Sequence, residues 1–429
     1  MIRRATLILP VLLTTTLLAQ EPSAPDLERR IHDLEARVQQ LQNVAEIQRE
    51  IDVLSREIEA LKNGQQKRAP EANATQFGLG AAASKVYRSD TGISIGGYGE
   101  FLYRDSRSSA PATADVVRAV VYTGYKFSDR VLFNSELEVE HANLERGGNV
   151  ETEFAYLDFM MRQPVNVRAG LILVPVGLTN EQHEPTAFFG ARRPLVEEAI
   201  IPTTWSDLGA GVFGDAGRVS YRAYVMTGLD AARFGAEQGI REGRQAGGEA
   251  LAEDLAFVGR ADWHPIEGTM FGGSLYTGQS GQGRGFSGRV TLGEVHADSK
   301  FRGISLRALA ARGTIGDAAR INKSNGLEGD ASIGKSLGGW YVEGGYDLAP
   351  ILGRVGQSIS PYARYEQLDT QRSVPAGFTR NPANDLKIFT LGVAWKPIAQ
   401  TVIKADWQNV KNRARTGKDQ FNIALGYIF

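Results

Sequence analysis

Glu136, Glu138 and Glu140 stand two residues apart, a spacing that puts all three carboxylates on one face of an extended chain. Asp158, in the next run of alternating residues, falls on the same face. Arg118, Arg168, Arg222, Arg260, Arg289, Arg307 and Arg364 occupy the corresponding face of other alternating runs. Rows of opposite charge across a water-filled passage set a transverse field, which selects solutes by charge and dipole. Keeping an interior wet is the blander role for the same residues. Bond-making chemistry has less support. The chain has five histidines and no cysteine. His32 lies in a heptad pattern and His264 beside a predicted tight turn; His141, His183 and His296 accompany no nucleophile motif and read as plain polar residues. No spacing suggests a metal site. Catalytic residues, a cofactor and a bound metal are therefore not expected.

These charges need elements to position them, and the elements follow from period two. Between residues 92 and 429 sixteen runs alternate apolar with polar or small residues. Tight turns are expected at Ser128-Asp129, Gln163-Pro164, Asp215 to Gly217, Pro265 to Glu267, Asp298-Ser299 and Pro397-Ile398, with longer loops at 175–207, 229–252, 313–333 and 370–384. Short turns on one rim, long loops on the other and an even strand number predict an all-β fold: a sixteen-stranded antiparallel transmembrane β-barrel. A soluble sandwich would not need that strict alternation of connection lengths. Closure also removes the edges that lipid cannot satisfy. The mean hydropathy is −0.24 and no internal apolar run reaches helix-spanning length, as interleaved polar residues in a barrel would give.

Alternation assigns faces. Val131, Phe133, Leu137, Val139, Leu157, Phe159, Met161, Val165, Val167 and Leu171 are expected to meet lipid, and Trp340, Phe389, Trp395, Trp407, Tyr427 and Phe429 to form interface girdles. The last run, Phe421, Ile423, Leu425, Tyr427 and Phe429, ends on an aromatic; Tyr427 and Phe429 are the expected signal to barrel-insertion machinery.

The long loop 175–207 combines Phe188, Phe189, Ile200 and Ile201 with Arg192, Arg193, Glu197 and Glu198. So many apolar residues are unusual for a solvated loop. A loop folded into the barrel would bury them on the wall and aim its charges at the pore centre, so it is the predicted constriction. A surface or subunit-contact loop is the alternative.

Ahead of the barrel, Arg3 and Arg4, an apolar stretch from Ala5 to Leu18 and Ala19 predict a signal peptide over residues 1–19. Leu27, Ile31, Leu34, Val38 and Leu41, then Ile51, Leu54, Ile58 and Leu61, predict a coiled coil over 26–63 with one discontinuity. Its a and d residues nominally suit two strands, whereas a barrel of this kind suits three. Residues 64–89 read as a linker and 90–429 as the barrel, with no plug domain ahead of the first strand.

The run Val167-Arg168-Ala169-Gly170-Leu171 to Pro175-Val176-Gly177-Leu178, then Phe188, Arg193-Pro194, Ile201-Pro202, Trp205, Gly209-Ala210-Gly211 and Gly214, resembles the phosphate-selective porin O/P family. The signal, the helical N-terminal stretch, the Gly97 to Phe101 strand and the terminal Phe agree with it. The resemblance covers most of 92–429, as diffuse pattern outside the loop. It implies a homotrimeric channel for small anions such as phosphate in the outer membrane of a Gram-negative-type bacterium, with the N-terminal helix in the periplasm. By the same resemblance Arg192 and Arg193 would carry the anion at the constriction, with Arg168, Arg222 and Arg118 as wall candidates. One feature departs from it: 36 basic and 38 acidic residues follow residue 89, so the barrel is not basic overall. A general diffusion pore for solutes such as dicarboxylates or sugars is the alternative, ahead of an outer-membrane enzyme or an adhesin. A net charge of −1 shows no nucleic-acid footprint.

Overall fold

The computed structural model describes residues 75–107 and 111–429, with Arg29 and His32 as isolated helical, exposed positions before them. The expected signal peptide and nearly all of the coiled coil lie outside the described residues. Sixteen strands follow: β1 (Gly92–Asp105), β2 (Thr113–Ser128), β3 (Val131–Glu140), β4 (Asn149–Arg162), β5 (Val165–Leu173), β6 (Ser206–Ala216), β7 (Val219–Thr227), β8 (Leu255–Ile266), β9 (Thr269–Gly278), β10 (Val290–Phe301), β11 (Ile304–Ile315), β12 (Ser336–Tyr346), β13 (Ser358–Ser373), β14 (Asp385–Ile398), β15 (Thr401–Asn412) and β16 (Gln420–Ile428). Each pairs antiparallel with its neighbours in sequence, and β1 pairs β16. Mutual Gly97–Phe429 backbone hydrogen bonds of 3.1 and 2.9 Å extend that seam. The barrel is closed, so no backbone edge is left for lipid to satisfy.

Alternation does what the sequence predicts of it. Val121, Phe257, Phe271, Val342, Leu391 and Ile423 point outward and are exposed, while Val120, Val258, Tyr341 and Ala424 on the same strands are buried within. Leu137, Leu157, Phe159 and Met161 are exposed as expected; Val131, Phe133, Val139, Val165 and Val167 are half-buried. Leu171 departs from expectation and is buried, because loop 228–254 lies over it; a Cβ on Gly247 would stand 3.0 Å from its Cδ1. Arg289 lies just before β10 and is exposed, so it does not face the lumen.

Most connections on one rim are two-residue turns. At Arg302-Gly303 both residues have positive φ (50° and 84°), which is the backbone of a type I′ hairpin and the reason glycine sits second. The exception on this rim is the longer 347–357 connection.

The lumen is largely filled. The 174–205 loop, with its short helix α2 (Leu195–Ala199), folds inward. Its Val174, Val176, Val196, Ile200, Ile201 and Trp205 join one apolar cluster with Tyr224, Met226, Tyr276, Leu292 and Tyr341 of the wall. A second occupant was not expected. Of the stretch read as a linker, residues 79–84 and Val86 are buried, and the short helix α1 (Lys85–Arg88) sits against β1, β2 and β3. Two glycines make room for these insertions: a Cβ on Gly124 would lie 2.6 Å from Val86, and one on Gly426 would lie 2.5 Å from Pro185.

Candidate functional site

The inward loop is held by its own polar residues. Asn180 Nδ2 donates to the carbonyls of Val174 (2.7 Å) and Trp205 (2.9 Å), and its Oδ1 accepts from the Trp205 amide at 2.7 Å. Glu197 accepts from the amides of Leu178 and Thr179 at 2.7 and 2.6 Å, and from the Tyr341 hydroxyl at 2.6 Å. Glu197 is thus an anchor in the packed half of the lumen, not a charge at the pore centre. Further along, the Ala191 amide donates to Asp406 and Lys404 Nζ to the Gly190 carbonyl, at 2.7 and 2.8 Å. The apolar cluster runs along β5 to β12 and also takes in Tyr98, Val120, Tyr122, Phe154 and Tyr156 of β1, β2 and β4. Polar space remains between the loop and β1 to β4, and between the loop and β10 to β14.

The space toward the long-loop rim is a cavity of about 400 Å³. Arg192 and Arg193 of the inward loop and Arg241 and Arg244 of loop 228–254 line it; opposite them stand Glu100, Arg118, Glu140, Glu151 and Glu153. Arg192 pairs with Glu198 at 3.0 Å and Arg118 with Glu100 at 2.9 Å. Arg193 donates one hydrogen bond, from Nη1 to Thr204 Oγ1 at 3.0 Å; its buried Nε and Nη2 have no partner. Arg241 and Arg244 donate to carbonyls of the inward loop, among them Glu198 O (2.9 Å) and Pro202 O (3.2 Å), so these contacts leave both charges unneutralised. Burial and the neighbouring Arg241 pull the Arg244 guanidinium down to about 10, which leaves it cationic at neutral pH. With Glu198, five arginines and five glutamates line this cavity.

A second cavity of about 330 Å³ opens toward the tight-turn rim, lined by Lys300, Arg302, Arg307, Lys396, Asp298, Glu343 and Asp347 among others. Phe188 is the one residue common to both linings and is itself 5% exposed.

The remaining predicted arginines do not join this arrangement. Arg168 is buried against Asp158 (2.8 and 3.0 Å) and stacks on Tyr156; the Tyr87 hydroxyl bridges to the same pair. Arg222 is buried between Asp262 (2.9 Å) and Glu181 (3.1 Å). Both belong to sealed networks between wall and inserted segments, and Asp158 is an ion-pair partner there rather than part of a pore-lining row. Of the acidic row, only Glu140 reaches the upper cavity; Glu136 and Glu138 are fully buried beneath it. Tyr427 and Phe429 stack on the outer face at 6.4 Å.

Glu151 and Glu153 were not anticipated. A β-bulge between β3 and β4 pairs Glu136 with Phe154 but Leu137 with Thr152. The extra residue resets the inward parity, so Glu151 and Glu153 join Phe154 and Tyr156 inside. Arg241 and Arg244 come from a loop with no period to read.

A closed sixteen-stranded antiparallel barrel with a long loop folded into its lumen is a porin-type barrel. The chain belongs to one family with an uncharacterized protein of Aquifex aeolicus (strain VF5), to which it is 35% identical over 373 residues, 84% of this chain and 85% of that one. No family model matches the chain. Among solved structures it is similar to Salmonella typhi OmpF in complex with daunomycin (TM-score 0.53, 10% identity, 80% of this chain and 99% of that one). It is likewise similar to a loop L8 deletion mutant of OmpT, an outer membrane protein of Vibrio cholerae (TM-score 0.50, 11% identity, 80% and 100%). At these identities the likeness speaks for the fold alone.

Proposed function

We propose that this protein is an outer-membrane channel through which small hydrophilic solutes diffuse passively, with selection at the cavity between Arg192, Arg193, Arg241 and Arg244 and the facing glutamates. The observation that carries the reading is that cavity itself, with one wall of guanidinium groups from two loops and an opposing wall of carboxylates, inside a barrel whose outer face is apolar. Such a pair of walls orients and partly desolvates a passing ion or dipole. The outward Phe, Trp, Val and Leu side chains support insertion in a bilayer, and the fold supports the outer membrane of a Gram-negative-type bacterium as its place. A homotrimer, with the N-terminal helix in the periplasm, completes the proposal. No covalent chemistry is assigned to the channel.

Preference for anions, phosphate included, rests on Arg193, Arg241 and Arg244, none of which has a carboxylate among its hydrogen-bond partners. The equal count of arginines and glutamates around the cavity favours a second reading, a general pore that prefers dipolar solutes. Reconstitution in a planar bilayer separates them. A reversal potential of anionic sign under a potassium chloride gradient, with conductance blocked by added phosphate, is the expected result of the first. A potential near zero without block supports the second, and absence of conductance rejects both.

A further inference from the structure

His183 of the inward loop meets Glu136 of β3 and Glu153 of β4 beneath the upper cavity, all three buried, with one ligand atom of each lying within 4.8 Å of the others. His183 Nδ1 is 2.8 Å from the Asn180 carbonyl, an oxygen that can only accept, so the ring proton lies on Nδ1. In a neutral ring Nε2 then carries a lone pair. That lone pair faces Glu136 Oε1 and Oε2 at 3.1 and 3.2 Å and Glu153 Oε2 at 3.3 Å. Acceptors facing acceptors repel unless a proton or a metal ion stands between them. A backbone carbonyl fixing one ring nitrogen while the other faces carboxylates is also how metal-ligating histidines are held.

A second observation is independent of that geometry. Glu138, fully buried, has no hydrogen-bond partner for either carboxylate oxygen, and its carboxyl faces Glu153. A buried carboxylate with nothing to satisfy it is among the costlier arrangements in a folded protein.

We propose that His183 Nε2, Glu136 and Glu153 bind one divalent transition-metal ion of the zinc type, with the unpartnered Glu138 as the carboxylate that turns toward it. Four ligands at about 2.0 Å around a tetrahedral centre stand about 3.3 Å from one another. The Nε2-to-carboxylate distances of 3.1 and 3.3 Å match that edge. One imidazole with carboxylates suits zinc or its neighbours better than calcium or magnesium, which take oxygen alone. The ion ties the inward loop to the barrel wall, so its presence fixes the loop that shapes the conduction path. The site goes beyond the transport reading and stands or falls separately from it.

The test uses the full-length chain, purified in detergent, stripped with a chelator and titrated with zinc sulfate, the bound metal being counted after gel filtration. One zinc per chain is expected, and cobalt in its place should give the visible absorption of a low-symmetry four-coordinate ion. Glu153→Gln, which keeps the side-chain shape, and His183→Ala should each lose that equivalent while keeping the heat-modifiable electrophoretic mobility of a folded barrel. His141→Ala, at the exposed pair with Asp115, should keep it. If His183→Ala does not fold, Glu153→Gln carries the comparison. Folded wild type that binds no zinc, or an equivalent retained in both site variants, overturns the proposal.

Discussion

Lys404 Nζ lies 3.7 Å from the centre of the Phe188 ring, so a buried lysine on β15 holds the aromatic that touches both cavities. The same amino group donates to the Gly190 carbonyl two residues on. Together the two contacts fix the ring where the outer and inner spaces meet. Phe188→Ala is expected to raise single-channel conductance several-fold while leaving charge selectivity nearly unchanged, since no charge is removed. Unchanged conductance would place the narrowest point elsewhere.

Replacing Arg192 and Arg193 together by glutamine leaves three arginines against five glutamates around the upper cavity. The reversal potential should move toward the cationic side. The shift should be larger in dilute salt, because exposed charges are screened over about 10 Å at 0.1 M. Arg192 is the more exposed and is already paired with Glu198; Arg193→Gln alone should therefore account for most of the change. A double variant with wild-type reversal potentials would remove these residues from the selective region.

Strand number, order and faces were legible because period two is written into every run, from the Gly97 strand to the one carrying Phe421, Ile423 and Leu425. The inward fold of loop 175–207 was legible too, since Phe188, Ile200 and Ile201 had to be buried somewhere. Height along the barrel was not. Alternation places Arg168 and Arg222 inside but does not say that Asp158, Glu181 and Asp262 enclose them there. The bulge at Glu153 erased parity just where the acidic wall begins. Ala81, Ala82 and Ala83 carry no period, and their docking depends on a carboxylate about a hundred residues away. His183 and Glu136 likewise meet only through the folded loop.

That carboxylate is Glu184. It accepts from the amides of Ala81, Ala82 and Ala83 at 3.0, 2.8 and 3.3 Å, and is buried. Removing it strands three buried donors, each costing about 1–3 kcal/mol when unsatisfied. Partial relaxation makes the lower end of that range apply. Glu184→Ala should therefore release the inserted segment without unfolding the barrel. Trypsin is expected to cut after Lys85 or Arg88 in the variant and not in wild type under matched conditions. Equal resistance in both would mean that Val86 and the alanines hold the segment by packing alone.

Arg364 offers a sharper contrast between buried and exposed ion pairs. Its guanidinium, with no exposed surface, donates to Glu343 and Glu366 at 3.1 Å each. Taking away one partner of a buried pair leaves charge stranded in low dielectric and typically costs about 3–5 kcal/mol. Arg364→Met should lower the thermal unfolding midpoint markedly. Adding Glu343→Gln and Glu366→Gln should restore much of it, because the stranded charge, not the lost attraction, dominates the penalty. Arg192→Met, at a pair about a third exposed, should change stability by less than about 1 kcal/mol. If Arg364→Met proved no worse than Arg192→Met, water would have to reach Glu343 and Glu366, and the wall at β12 and β13 would be wetter than the stacking of Phe189 on its Tyr362 implies.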